Sequence, residues 1–195
     1  MNNIVNRRRV YDNKDGGIKI REGYTLGSYF NVDNDSYAAL HETAAPYDCE
    51  ILVEPSRVTG VQFIIGFNGY VNAQMSGSGI KMADSTTLSN VFSVGVSRLI
   101  YLEARTGGTS KLYVDGEDTG LSTTKGVQPY IAVFGATKFA NQYRGKVFYI
   151  KIYKNGAVIH HYVPVIRDSD NVSRIYDAIS DSFINLQTGT LKVVK

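Results

Sequence analysis

The sequence has no tryptophan, a single cysteine, Cys49, and only four prolines among its 195 residues. One cysteine excludes an internal disulfide and any zinc or iron–sulfur site built from several cysteines. So little proline excludes collagen-like and proline-rich proteins. No run of about 18 apolar residues is present, so neither a membrane-spanning helix nor a membrane partner is expected. A chain of this length can fold on a hydrophobic core alone.

Positive charge is concentrated at the beginning of the chain. Residues 1–21 carry six basic and two acidic groups, and the rest is nearly neutral. We expect a basic arm over residues 1–22, marked by Arg7, Arg8 and Arg9, and one domain over residues 23–195. Such an arm either docks on an acidic partner surface or is simply solvated. Three arginines without a basic stripe in the body do not predict nucleic acid as a partner.

The hydrophobic pattern from about residue 18 onward repeats every two residues, as in half-buried β-strands. Residues 98–105 place apolar side chains on one face and Tyr101 on the other. Residues 146–153 predict Phe148 on the inward face and Tyr149 on the outward face.

Turn signals separate these runs. Asp115-Gly116 and Asn155-Gly156 are strong signals for two-residue hairpins. About a dozen short strands with turns every 8–12 residues predict an all-β protein of antiparallel sheets, either a sandwich or a barrel. The only helical expectation is one short turn within residues 36–45.

Signatures of catalysis are missing from the sequence. It has no nucleophile elbow and no glycine-rich phosphate loop. His160 and His161 are adjacent in a predicted strand, so they point to opposite faces and cannot share one metal ion. Cys49 lies on the apolar face of its strand, which predicts a buried, inert thiol. The E-x-D-x-x-E pattern of β-sandwich glucanases is absent, and the protein is predicted not to be an enzyme.

Two acidic clusters are weak candidates for calcium. They contain Asp33 with Asp35 and Asp168 with Asp170. Calcium needs six to eight oxygen ligands, and neither cluster has the downstream glutamate of a helix-loop-helix site. Polar turns are the default interpretation, so no cofactor or metal site is predicted, with calcium kept as an alternative.

Two segments have a composition suited to sugar binding, because a sugar ring offers an apolar face and polar edges. One contains Asn68, Tyr70 and Asn72, and the other contains Tyr143 and Arg144. These five residues are the predicted glycan contacts. Half-buried tyrosine is also common in ordinary strands.

A series of motifs runs through residues 145–195. A strand closed by Asn155-Gly156 is followed by a strand around Pro164, then by Tyr176-Asp177, by Phe183 with Asn185, and by a Thr-Gly-Thr turn. In this order they resemble the closing segment of concanavalin A-like (LamG-like) jelly-roll domains, which occur in bacteriophage fibre and virion proteins and in surface proteins of gut bacteria. Residues 97–116 resemble the family's strand and hairpin unit.

The resemblance implies a concanavalin A-like jelly-roll sandwich that is a non-catalytic binding or structural module. Our leading hypothesis is a bacteriophage virion structural protein, of fibre or capsid-decoration type. Its arm would bind other virion proteins, and its lectin-like domain has host surface polysaccharide as a candidate ligand.

No secretory signal follows Met1, which favours location in the virion over a bacterial cell surface. Open sandwich edges favour a homo-oligomer. The alternatives are a carbohydrate-binding module of a bacterial surface protein and, third, a β-sandwich glycosidase.

Overall fold

The computed structural model describes most of the chain beyond its first sixteen residues. The described residues are 17–32, 46–66, 70–83, 85–127, 141, 143–184 and 191–195, with the backbone alone at 38–42 and 130–133. They form sixteen β-strands. In chain order these are β1 (Tyr24–Leu26), β2 (Tyr29–Val32), β3 (Ala38–Glu42), β4 (Tyr47–Pro55), β5 (Val61–Gly66), β6 (Asn72–Ser76), β7 (Gly79–Lys81), β8 (Arg98–Ala104), β9 (Ser110–Val114), β10 (Glu117–Thr123), β11 (Tyr130–Val133), β12 (Gly145–Lys154), β13 (Ala157–Arg167), β14 (Ser173–Asp177), β15 (Ser182–Ile184) and β16 (Lys192–Val194).

The strands pair into two antiparallel sheets, which confirms the predicted all-β sandwich. The large sheet has eleven strands, with β10-β9-β8-β4-β12-β13-β14-β15 as its main order and β1, β2 and β16 joined at the side. The small sheet has five strands in the order β3-β11-β5-β6-β7. Within the described ranges, no helix is long and apolar enough to cross a membrane.

The hydrophobic core is shared by the two sheets. Strands β4, β8 and β12 supply it from the large sheet, and β5, β6 and β7 from the small one. The alternation predicted for residues 98–105 is confirmed, since Ile100, Leu102 and Ala104 are fully buried. Other members of this core include Cys49, Ile51, Val53, Ile65, Met75, Ile80, Val147, Ile150 and Ile152.

A second apolar layer lies on the outer face of the large sheet. Its buried members are Leu52, Tyr149, Val163, Val165 and Tyr176. Residues 17–26, which we call the N-terminal strap, pack on this layer through Ile18 and Ile20. Arg21 fixes the strap, because its Nε lies 2.9 Å from Oδ1 of Asp181. The described part of the predicted arm therefore contacts the domain, and the proposed boundary at residue 22 stays a prediction.

Two predicted hairpins are present in the structure. Asp115 and Gly116 join β9 to β10, and Asn155 and Gly156 join β12 to β13. Both residues of each turn have positive φ angles, between 52° and 89°. Such turns follow the right-handed twist of the strands that they connect, which explains the Asx-Gly sequences.

Two local predictions are wrong. A bulge between Val147 and Tyr149 in the pairing of β12 with β4 interrupts the alternation, so Val147 enters the core and Phe148 packs on the outer layer. Beyond the bulge the predicted faces are confirmed, since Tyr149 lies on the outer layer and Ile150 in the core. The helical turn expected within residues 36–45 is replaced by strand β3, which pairs with β11.

Candidate functional site

The residues predicted to bind a glycan lie in different environments. Tyr70 is 41% exposed just before β6, and Arg144 is half-buried. Asn72 is buried, where its amide donates to the Tyr70 carbonyl and accepts from the Ala83 N–H. Tyr143 is also fully buried. The prediction is corrected for Asn72 and Tyr143, because their side chains have no exposed surface to offer a sugar.

For Tyr70 and Arg144 glycan contact stays a prediction. Asn68 lies outside the described residues, as do the arginines of the predicted arm, Arg7, Arg8 and Arg9.

The acidic clusters are engaged within the protein where the structure describes them. Asp168 accepts a hydrogen bond of 2.7 Å from the Thr25 hydroxyl. Asp170 accepts from Arg167, whose guanidinium lowers the pKa of this carboxyl. Asp33 and Asp35 lie outside the described residues. Nowhere in the described part of the chain do three potential metal ligands lie together.

The cysteine and the paired histidines have structural environments. Cys49 is buried, as predicted, and burial raises the pKa of its thiol. His160 Nδ1 lies 2.7 Å from a carboxylate oxygen of the buried Asp177, whereas His161 contacts the ring of Tyr149 edge-on. The two imidazoles thus point to opposite faces, as predicted.

Three tyrosines form a row across the outer face of the large sheet. Tyr153 of β12, Tyr101 of β8 and Tyr113 of β9 are all half-buried. The ring centroids of Tyr101 and Tyr153 are 6.1 Å apart, and those of Tyr101 and Tyr113 are 5.9 Å apart. Pairing puts Tyr101 directly opposite Tyr113 in the β8–β9 ladder. We call these residues the tyrosine row.

A carboxylate accompanies each ring of the tyrosine row. The Tyr101 hydroxyl donates to Oδ2 of Asp48 over 2.8 Å. Glu50 lies near Tyr153, and Glu103 lies near Tyr113. Desolvation and these carboxylates raise the pKa of each tyrosine, so the hydroxyls stay protonated at neutral pH.

One arginine connects two of these carboxylates. Nη1 of Arg105 lies 2.5 Å from Oδ1 of Asp48, and Nη2 lies 3.7 Å from Oε2 of Glu103. Nη1 also donates to the carbonyl oxygens of Tyr47 and Ala104. Lys151 Nζ lies 3.9 Å from Oε1 of Glu50. Positive and negative groups are thus interleaved around the rings.

A depression of about 220 Å³ opens at the Tyr153 end of the row. Asp48, Arg105 and Tyr153 line it together with Asn155 and Gly156 of the hairpin turn between β12 and β13. The site therefore combines aromatic surface, carboxylate acceptors and a small recess.

Sequence reasoning missed this site. The two-residue alternation did place Tyr101 on an outward face, with Glu103 and Arg105. It gave no register between β8 and β12, which are separated by a long stretch of sequence. Only pairing through β4, where Glu50 lies opposite both Tyr101 and Lys151, brings these side chains together.

Comparison with known proteins identifies the fold. No protein-family model matches the sequence, and no curated protein matches it either. Among solved structures, a protein of Bacteroides ovatus ATCC 8483, described as a candidate carbohydrate-binding protein, matches 87% of this chain with a TM-score of 0.62 and 11% identity. The chain spans 60% of the length of that protein.

Two other solved structures match less well. The CBM40 of the Ruminococcus gnavus IT-sialidase, solved with alpha2,3 sialyllactose, gives a TM-score of 0.43 at 12% identity, over 68% of this chain and 88% of that one. A SAP-like pentraxin of Limulus polyphemus gives 0.36 at 6% identity, over 86% and 94%. Identities this low describe fold alone. With its two antiparallel sheets, the chain has the concanavalin A-like, lectin-like β-sandwich fold that its C-terminal motifs predicted.

Proposed function

We propose that this protein is a non-catalytic, lectin-like carbohydrate-binding module and that the tyrosine row is its binding surface. The observation that carries the proposal is the row itself: three tyrosine rings within 6.1 Å of their neighbours, each with a carboxylate beside it. Ring faces can cover the apolar face of a sugar, while the carboxylates can bind its hydroxyls. The B. ovatus protein supports this proposal through its fold and its description.

The arrangement of the rings favours soluble glycan chains. The planes of Tyr101 and Tyr113 are inclined by 69°, and those of Tyr101 and Tyr153 by 59°. Rings inclined in this way present no flat platform of the kind that a crystalline polysaccharide surface requires. A single chain can follow them because its sugar rings rotate about the glycosidic bonds.

The carboxylates favour binding over hydrolysis. A glycosidase needs one carboxyl group that delivers a proton and a second that acts as a base or nucleophile. Both oxygens of Asp48 are occupied, Oδ1 by Arg105 and Oδ2 by the Tyr101 hydroxyl. Because both of its oxygens are engaged within the protein, Asp48 is not placed to deliver a proton to a ligand.

The virion hypothesis remains a separate prediction. It rests on the sequence resemblance and on the basic arm, whose arginines lie outside the described residues. The same holds for docking on other virion proteins, for the homo-oligomer and for location in the virion. The structural match favours the alternative, a carbohydrate-binding module of a bacterial surface protein.

A glycan array tests the proposed function. The folded protein is screened against soluble oligosaccharides and bacterial polysaccharides, with and without calcium. We expect a saturable hit that Tyr153→Ala weakens about tenfold, as for an aromatic anchor at an interface. Tyr29→Ala is the matched control, because Tyr29 is also half-buried and pairs with Phe148 at 5.9 Å, but it lies on β2, away from the row. A folded protein that binds no glycan contradicts the proposal.

A further inference from the structure

We infer that the tyrosine row selects neutral glycans over carboxylated ones, and that Asp48 and Glu103 determine this specificity by occupying Arg105. The inference rests on the proposed function and deepens it. It concerns the ligand charge that the site prefers, and it is derived from the ion pairs around the row.

Arg105 is the cation that lines the recess beside the row. Recognition of a carboxylated sugar by arginine usually requires two guanidinium N–H groups that can meet both carboxylate oxygens. In Arg105 one terminal nitrogen serves Asp48 and two backbone carbonyls, and the other faces Glu103. The guanidinium is thus already committed within the protein.

Two lysines near the row are also placed opposite carboxylates in the ladders. Lys151 Nζ lies 3.9 Å from Glu50, and Lys111 is directly opposite Glu103 in the β8–β9 ladder. Asp118 adds a further acid opposite Tyr113 in the β9–β10 ladder. A carboxylated sugar entering the row would meet Asp48, Glu50 and Glu103 and would have to displace one of them from its cation. This displacement penalises acidic ligands.

Neutral sugars meet no such penalty. A carboxylate has about four lone-pair sites, and a tyrosine or a single ion-pair contact occupies only part of them. Sugar hydroxyls can donate to the remaining sites without breaking the pairs that hold the site together. The same carboxylates that repel an acidic ligand therefore serve as acceptors for a neutral one.

The first test is the distribution of hits between neutral glycans and carboxylated glycans, such as galactan oligosaccharides and oligogalacturonates, on one array. Hits confined to neutral glycans support the inference. Hits among carboxylated glycans that Tyr153→Ala abolishes overturn the inference and leave the proposed function intact. No hit of either kind, from protein shown to be folded, rejects the proposed function and the inference with it.

The second test releases Arg105. Asp48→Asn/Glu103→Gln keeps an acceptor for the Tyr101 hydroxyl but removes both charges that hold the guanidinium. We expect affinity for carboxylated glycans to rise about tenfold, the scale of one charge-assisted contact, and to fall again at high salt. Glu103→Gln alone changes a side chain that is 28% exposed and should give a smaller gain in affinity for carboxylated glycans. This single variant replaces the double variant if the latter does not fold.

Asp170→Asn is the matched control, because Asp170 also pairs with an arginine, Arg167. Arg167 ends β13, whereas the recess lies at the hairpin where β13 begins. We expect no change in ligand preference for this variant. An equal gain in Asp170→Asn, or no gain when Arg105 is released in folded protein, overturns the inference.

Discussion

The hydroxyl of Tyr101 donates a hydrogen bond of 2.8 Å to Oδ2 of Asp48, on the neighbouring strand. The two residues are not direct partners, since Tyr101 lies opposite Glu50 and Asp48 lies opposite Glu103. The tyrosine therefore leans diagonally across the ladder. Because Asp48 also holds Arg105, one carboxylate fixes both a ring of the row and the cation beside it.

Removing the Tyr101 hydroxyl separates the role of the ring from that of its hydrogen bond. Tyr101→Phe keeps the ring but loses the bond to Asp48, which we expect to cost about 1 kcal/mol of stability. Glycan affinity should fall by less than in Tyr101→Ala, which also removes apolar surface. Titration calorimetry and urea unfolding of both variants measure the two effects. Equal glycan affinity in wild type and Tyr101→Ala would contradict a role for the ring.

The stability of the protein should depend on His161 in mildly acidic solution. Burial, with Lys151 nearby, lowers the pKa of His161 from 6.5 to about 4. Between these values the unfolded chain binds a proton that the folded protein resists, so stability falls as pH drops from about 6.5 to 4.

His161→Gln, which does not titrate, should make the free energy of unfolding less dependent on pH in this window. Denaturant unfolding at pH 7.5, 5.5 and 4.5 measures it. The pKa of Asp177 is lowered from its ordinary value of 3.8, so its titration affects stability only below pH 3.8, outside this window. An unchanged slope in His161→Gln would show that another group is responsible.

The N-terminal strap should contribute stability through its two isoleucines. Ile18 and Ile20 are half-buried against the outer apolar layer, and the intervening Lys19 is exposed. We expect Ile18→Ser and Ile20→Ser each to cost about 1 kcal/mol, part of the value of a fully buried side chain. Lys19→Ser is the control and should change little. Thermal unfolding reports all three, and similar melting temperatures for all of them would argue against packing of the strap.

Gly145 should tolerate no side chain. Its φ of +151° disfavours other residues, and an added Cβ would collide with the Glu54 carbonyl and lie 2.6 Å from the Tyr143 hydroxyl. We expect Gly145→Ala to cost about 3 kcal/mol, the upper range for overpacking. In Gly108→Ala the new Cβ would meet only Arg105 Cβ at 3.5 Å, an ordinary contact, so stability should be nearly unchanged. Denaturant unfolding measures the free energy of unfolding of both variants, and equal values would contradict the expected clash at Gly145.

The general architecture could be predicted from the sequence because its signals are local. Asn155-Gly156 encodes a turn within two residues, and the alternation of Ile100 and Leu102 encodes a strand face. The reversal at Phe148 could not be predicted, because a bulge depends on the strand opposite. Strand β3 was missed for a similar reason, since it pairs with the distant β11.

The candidate site could be predicted less well than the fold. Tyr143 and Tyr101 look alike in sequence as tyrosines near charged residues, yet the first is buried beneath Gly145 and the second lies on an outer face. Composition identifies residues that suit sugars but not their exposure. Exposure is decided by packing between segments far apart in the chain.

The central claim is that a glycan binds on the tyrosine row. Mapping of backbone amide chemical shifts, while the strongest glycan from the array is added to isotope-labelled protein, tests it most directly. We predict that the largest shifts fall within residues 46–50, 101–105, 111–113 and 153–156. Shifts concentrated around Tyr70 and Arg144 instead, with these four segments unchanged, would contradict the account.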